Sequence, residues 1–146
     1  MMIPFGLGVL LAVFVAVRPD NQANAQGFIT NCTWQTGFMT DSLLGMYCNN
    51  DNWDDFSYDW TWFDTSLCLV NNGGLLIPYE SGNYFPSCKD CIVQGSDVNF
   101  ILACTCFQPT GEYAPAAYDL NRVIYNENGT LGCFGHVGNK TEIGPF

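Results

Sequence analysis

The sequence predicts an all-β fold built from two tandem, pseudo-symmetric repeats stabilised by disulfides, and three observations carry that prediction. Short runs rich in Phe, Tyr, Trp, Ile, Val and Thr are bounded by Gly, Asn, Asp and Pro, the pattern of strands and tight turns. No stretch beyond residue 25 sustains apolar residues at a 3.6-residue spacing. Sliding the chain against itself by 56 positions, without a gap, puts Cys32 on Cys88, Cys48 on Cys104, Asp41 on Asp97, Asn72 on Asn128, Gly73 on Gly129 and Leu75 on Leu131. Two cysteine pairs with the same spacing of 16, each followed by a Gly-x-Leu ending, mark a duplication. A unit of about 50 residues cannot bury enough apolar area alone, so the two repeats share one core, with hairpin exchange as a route to it.

Residues 1–25 read as a signal peptide. Ile3 to Val17 is almost unbroken apolar sequence, polar residues follow, and Ala23-Asn24-Ala25 offers small residues at the two positions a signal peptidase reads. The apolar run is too short to cross a bilayer comfortably, and no later run is long enough to do so. The expected mature domain is 26–146, with repeat one at about 28–83 and repeat two at about 84–139. Its location would be extracellular, without membrane insertion. Eight cysteines, an even and dense set, agree with an oxidising compartment. Sequons stand at Asn31, Asn128 and Asn139.

Fourteen acidic against four basic side chains give a formal charge of −10, which excludes nucleic acid as a partner. Charged residues at 12% with aromatics at 15% exclude a disordered chain.

In repeat one, Asn49 to Asp64 (NNDNWDDFSYDWTWFD) concentrates aromatics and acids. Its alternation predicts one strand with Phe56, Tyr58, Trp60 and Trp62 on a buried face and the acids turned to water. The acids lack the spacing of a Ca²⁺ loop, and no metal or other cofactor is expected. Leu67 to Val70, Asn71-Asn72-Gly73-Gly74 and Leu75 to Ile77 then read as strand, turn, strand. Repeat two has the same signal more strongly, in Val123-Ile124-Tyr125, Asn126-Glu127-Asn128-Gly129 and Thr130-Leu131, preceded by Asp119-Leu120-Asn121 with Asp119 as a helical-turn cap. The lone His136 has no nucleophile near it in sequence, and adjacent Asp54 and Asp55 would point to opposite faces of a strand. The chain is therefore expected to be no enzyme.

An aromatic, three residues and a Cys in each repeat, a second Cys at the end of a following strand, and the run YDLNRVIYNENGTL at 118–131 together resemble the cyanovirin-N homology family of small lectins. The resemblance covers Phe28 to Leu131. It is specific in repeat two and weaker in repeat one, where Phe63-Asp64-Thr65 replaces the Asp-Leu-Asn element. It implies that each half is a three-stranded sheet packed with a β-hairpin from the other repeat. It also implies disulfides Cys32–Cys48 and Cys88–Cys104, each worth about 3 kcal/mol in the loop-entropy model. Cys68, Cys91, Cys106 and Cys133 then allow three pairings, of which Cys68–Cys106 with Cys91–Cys133 is preferred here. Zinc at Cys88-x-x-Cys91 and Cys104-x-Cys106 is the rival reading, which the secreted context and the matched 16-residue pairs disfavour.

The function the resemblance implies is that of a carbohydrate-binding protein recognising glycans or glycoproteins, mannose-rich ones included, by hydrogen bonding. Its site would comprise Thr30, Asn31, Asn49, Asn50, Asp51, Asn126, Glu127 and Asn128, all polar, as a hydroxyl-rich ligand requires. A glycan on Asn31 or Asn128 would block it. The second implied pocket, at Leu69 to Asn72, Gly82, Asn83, Pro86, Ser87, Thr105, Cys106 and Phe107, departs from the family pattern and is expected to be silent. The alternative is a secreted interaction or effector-like protein that keeps the fold without binding sugar. Either a monomer or a domain-swapped dimer fits a tandem of exchanging hairpins.

Overall fold

The computed structural model describes residues 27–50, 57–141 and 144, so the expected signal peptide lies outside the described residues. The chain runs β1 (Cys32–Thr40), β2 (Leu43–Asn49), β3 (Tyr58–Asp64), β4 (Leu69–Asn72), β5 (Leu75–Pro78), β6 (Cys88–Gly95), β7 (Phe100–Phe107), β8 (Tyr113–Asp119), β9 (Tyr125–Glu127), β10 (Thr130–Cys133), β11 (His136–Val137) and β12 (Asn139–Thr141). Each repeat opens on a 3-10 turn and has another before its hairpin. All strand pairs are antiparallel.

The expected exchange is present. β1-β2-β3 forms one sheet and β6-β7-β8 the other. Hairpin β9–β10 of repeat two packs on β3, and hairpin β4–β5 of repeat one packs on β8. The Leu131 amide reaches the Thr61 hydroxyl at 3.2 Å across the first of these junctions. One continuous core results, in which Leu44, Met46 and Phe63 meet Leu102, Leu120 and Leu131. Neither sheet could bury its inner face without the other repeat's hairpin. The first sheet also gains a fourth strand, β12, on the free edge of β3.

Both hairpins close with two-residue turns in which both central residues have positive φ: Gly73 (66°) with Gly74 (102°), and Asn128 (54°) with Gly129 (92°). These values suit the twist of the flanking strands, and Gly and Asn tolerate them best. They also correct the gapless alignment. Gly74 corresponds to Gly129 and buried Leu76 to buried Leu131, an offset of 55, whereas the offset of 56 sets exposed Leu75 on Leu131. The slip begins before the turns. Asp64 accepts from the Ser66 amide at 2.9 Å just as Asp119 accepts from the Asn121 amide at 3.0 Å, so repeat one keeps the Asp cap that its sequence disguises.

Cys32–Cys48 forms as the resemblance implied, but the other pairings are corrected. The bonds are Cys88–Cys106, Cys91–Cys104 and Cys68–Cys133, in place of Cys88–Cys104, Cys68–Cys106 and Cys91–Cys133. The cause is strand register. β1 and β2 join through the two-residue turn Asp41-Ser42, with a wide irregularity between Thr33 and Phe38. β6 and β7 join through the longer loop 96–99, with a single extra residue between Lys89 and Ile92. Cys88 therefore faces Cys106, and the equal spacing of 16 aligns non-equivalent positions. The bulge at Asp90 (φ 55°) turns Cys91 to the same face as Cys88, where it meets Cys104.

The aromatic stripe of β3 is also only partly as expected. Trp60 is buried, with Trp62 and Tyr47 edge-on to it and Phe38 tilted against it, but Tyr58 is 45% exposed. The Gly144 amide donates to the Tyr47 hydroxyl at 2.8 Å, which sets Gly144 over this outer face of the sheet, against Trp60. Nor does Asp59 look to water: its side chain is 13% exposed and turned toward the β9–β10 tip. Phe56 lies outside the described residues.

Candidate functional site

Three chain-distant segments meet at one end of the first sheet. The Cys32–Cys48 bond joins the start of β1 to the end of β2, with Cα atoms 3.9 Å apart, and so sets Asn31 beside Asn49. The 3-10 turn Phe28–Asn31 buries Phe28 and Ile29 and leaves Thr30 and Asn31 exposed. Asn121 holds this turn: its carbonyl accepts from the Gly27 amide at 2.7 Å and its side-chain oxygen from the Ile29 amide at 2.9 Å. The Asp-Leu-Asn element thus anchors the N-terminal segment against repeat two, where the turn packs on β9.

The β9–β10 tip supplies the second wall. The Asn126 side chain accepts from the Gly129 amide at 2.9 Å and donates to the Asn49 carbonyl at 2.9 Å. It braces the site from within, fixing the tip against β2. Glu127 and Asn128 beyond it are exposed. Gly129 is packed so closely that a Cβ there would stand 3.0 Å from Asp59 Oδ2 and 3.1 Å from Asn50 Cβ. The Asn50 amide group donates to the Ser57 hydroxyl at 2.7 Å, which joins the end of β2 to the start of β3. Asp51 lies outside the described residues.

Sequence reasoning missed two residues of this cluster. Lys140, on β12, places its ammonium 2.7 Å from the Asn128 carbonyl and 3.2 Å from Asp59 Oδ2. Asp59 is one position along the strand face from Thr61, which β12 pairs with Lys140. The only sequence signal for either was polarity. The cluster thus combines amide groups, the acids Asp59 and Glu127, and one cation. Such a set can hold hydroxyl groups by directional donors and acceptors.

The second implied pocket is differently occupied. The Asn71 side chain donates to the Ser87 hydroxyl and the Phe107 carbonyl, both at 3.0 Å. Cys106 is buried in its bond to Cys88, and Gly82 sits against the Leu69 carbonyl, where a Cβ would come within 2.5 Å. What reaches the surface is Phe107, edge-on to Tyr113 at 5.4 Å, with the Lys89 ammonium 4.2 Å over the Tyr113 ring. A separate open hollow of about 600 Å³ is lined by Thr40, Leu43, Trp62, Phe63, Leu67 and neighbours, and contains none of the eight expected site residues. His136 contacts Glu80 Oε2 at 3.0 Å on the surface.

A family model described as the CVNH domain matches residues 28–132. Among solved structures, the chain is similar to a CVNH protein of Gibberella zeae, with 20% identity and a TM-score of 0.57, covering 69% of this chain and 95% of that one. It is similar to a variant of MoCVNH3 in complex with (N-GlcNAc)4, with 15% identity and a TM-score of 0.61, covering 75% and 98%. It is also similar to microvirin in a mannobiose complex, with 23% identity and a TM-score of 0.58, covering 74% and 98%. No curated protein sequence matches the chain.

Proposed function

The chain belongs to the cyanovirin-N homology (CVNH) family, and from that premise we propose that it is a secreted, non-enzymatic lectin that binds glycans at the β1–β2–β9 end of the first sheet. The observation that carries this reading is the meeting of Thr30 and Asn31, Asn49 and Asn50, and Glu127 and Asn128 from three distant parts of the chain. A sugar offers many hydroxyls and no charge, so its recognition depends on such a set of fixed polar groups. Two of the similar structures hold oligosaccharides, an N-acetylglucosamine tetramer and mannobiose, which makes these the first ligands to try. The second pocket is proposed to be silent toward sugar. Its Asn71 amide is bonded internally, and an aromatic pair stands at its rim.

The apolar run 3–17 and Ala23-Asn24-Ala25 support secretion. The test uses protein exported by a eukaryotic host, with an N-terminus expected at Gln26, enzymatically deglycosylated and printed against a glycan array. Binding to at least one oligosaccharide is expected, and Glu127→Ala with Asn128→Gly should abolish it while leaving the thermal midpoint within a few degrees. Glycine suits the positive φ of Asn128, so this pair tests the site and spares the turn. Silence of the oxidised, deglycosylated protein on every glycan would sink the lectin reading and favour an interaction protein that keeps the fold alone.

A further inference from the structure

The family domain ends at residue 132, yet the chain continues into β11 and β12, and the side chain of Lys140 on β12 reaches the candidate site. We infer that Lys140 is a positioning and specificity-determining residue of the sugar site, supplied by a segment outside the family domain. The inference rests on the lectin reading given above.

The geometry explains why a lysine at this place has an effect. β12 pairs with β3 so that Lys140 lies opposite Thr61, and residues paired across strands share a face of the sheet. That face carries Asp59 and is covered by the β9–β10 hairpin, whose Leu131 amide bonds to Thr61. The lysine stem therefore runs along β3 toward the tip, where its ammonium meets two oxygens of unlike kind, the Asn128 carbonyl at 2.7 Å and Asp59 Oδ2 at 3.2 Å.

Each contact has a consequence. The bond to Asn128 fixes the outermost peptide of the tip, the one between Asn128 and Gly129. The contact with Asp59 pairs the cation with a largely buried carboxylate that stands beside Gly129 of the tip, where an unpaired charge would be costly. An ammonium has three donors, and these contacts use two. The side chain is 41% exposed, which leaves the third donor for a ligand hydroxyl. Lys140 thus converts an amide-and-acid surface into one with a fixed cationic donor at its rim. A neutral sugar hydroxyl next to Asn128 is the ligand group it fits.

The test compares wild type, Lys140→Met and Lys140→Arg in the full exported chain by titration calorimetry with mannobiose and with the N-acetylglucosamine tetramer. Lys140→Met keeps most of the stem and removes the charge and the donors, and should weaken binding about tenfold, the lower range for a lost charge-assisted hydrogen bond. Lys140→Arg should recover at least half of that loss in logarithmic terms, which a purely packing role would not produce. Amide exchange at Gly129, whose N–H bonds to Asn126, should accelerate in Lys140→Met and return toward wild type in Lys140→Arg. Wild-type binding with Lys140→Met within twofold of it overturns this inference and leaves the lectin reading standing. Wild type silent on both probes and on the full array overturns both.

Discussion

Thr65 has one hydroxyl proton, and the Ser42 carbonyl takes it at 2.7 Å. The other partner of that oxygen, the Tyr84 hydroxyl at 2.7 Å, must then be the donor. Tyr84 is fully buried at the opening of repeat two and Thr65 lies at the close of β3, so this bond ties the two repeats together. Burial pushes the Tyr84 hydroxyl up to about 12, and the nearby Asp64 carboxylate adds to the effect. A folded value above the unfolded value of 10.0 means that the stabilisation is fully present below pH 10 and disappears as pH rises toward 12. Denaturant titrations of the wild type should lose on the order of 2 kcal/mol between pH 9.5 and pH 11.5 from this group. Tyr84→Phe should be less stable at neutral pH by about 1 kcal/mol and should lack that part of the alkaline loss. Tyr118 and Tyr125 are also raised, chiefly by burial, so a residual alkaline slope is expected in the variant. An identical alkaline profile in the two proteins would contradict the upward shift that burial gives Tyr84.

The β9–β10 hairpin is the element in which fold and site coincide. Its tip needs positive φ at Asn128 and Gly129, and its flank needs the space that a missing Cβ leaves against Asp59 and Asn50. Gly129→Ala meets both obstacles at once, a strained φ of 92° and a contact of 3.0 Å with a carboxylate oxygen. It should cost about 1–2 kcal/mol in chemical denaturation, and any glycan binding should fall with it. Gly73→Ala makes a useful contrast. Its φ of 66° is strained alike but no atom lies within 4 Å, so it should cost less and leave binding unchanged. These hairpins were legible in the sequence because the chemistry of a two-residue turn is local: Asn-Gly and Gly-Gly name it directly. Asp119 as a cap was legible for the same reason, since it acts two residues away. The disulfides of repeat two were not. Their pairing depends on a bulge and a loop length, which shift register without changing any local motif. Asp59 and Lys140 were missed because their meeting depends on an edge strand joining 80 residues further along the chain, and alternation alone sent the acids of β3 toward water.

At the scale of the whole molecule, two larger connections join the halves besides the single hydrogen bonds between them. One is the exchange of hairpins, which makes neither repeat complete without its partner. The other is Cys68–Cys133, which links the entrance of β4 to the end of β10 over 65 residues, both cysteines being fully buried. In the loop-entropy model a closure of that length contributes about 4 kcal/mol, more than the shorter bridges within each sheet. It also decides how the molecule can assemble. A domain swap would open the connection between β5 and β6, residues 79–87, and carry repeat two of one chain onto repeat one of another. That connection is held to 66–68 by the Tyr79, Ser81 and Asn83 amides, which can break and re-form. The intrachain disulfide cannot, so an oxidised monomer is trapped as a monomer. Cys68→Ser with Cys133→Ser should therefore lower the thermal midpoint by roughly 10 °C. Refolded at high concentration, it should yield a dimer by light scattering that runs as a monomer on a non-reducing gel. Wild-type protein refolded under oxidising conditions at the same concentration divides instead into monomer and covalent dimer, because a swapped pair closes Cys68 of one chain on Cys133 of the other. A swapped wild-type dimer that falls apart in denaturant without reductant would show that this bridge does not join the repeats as the structure has it.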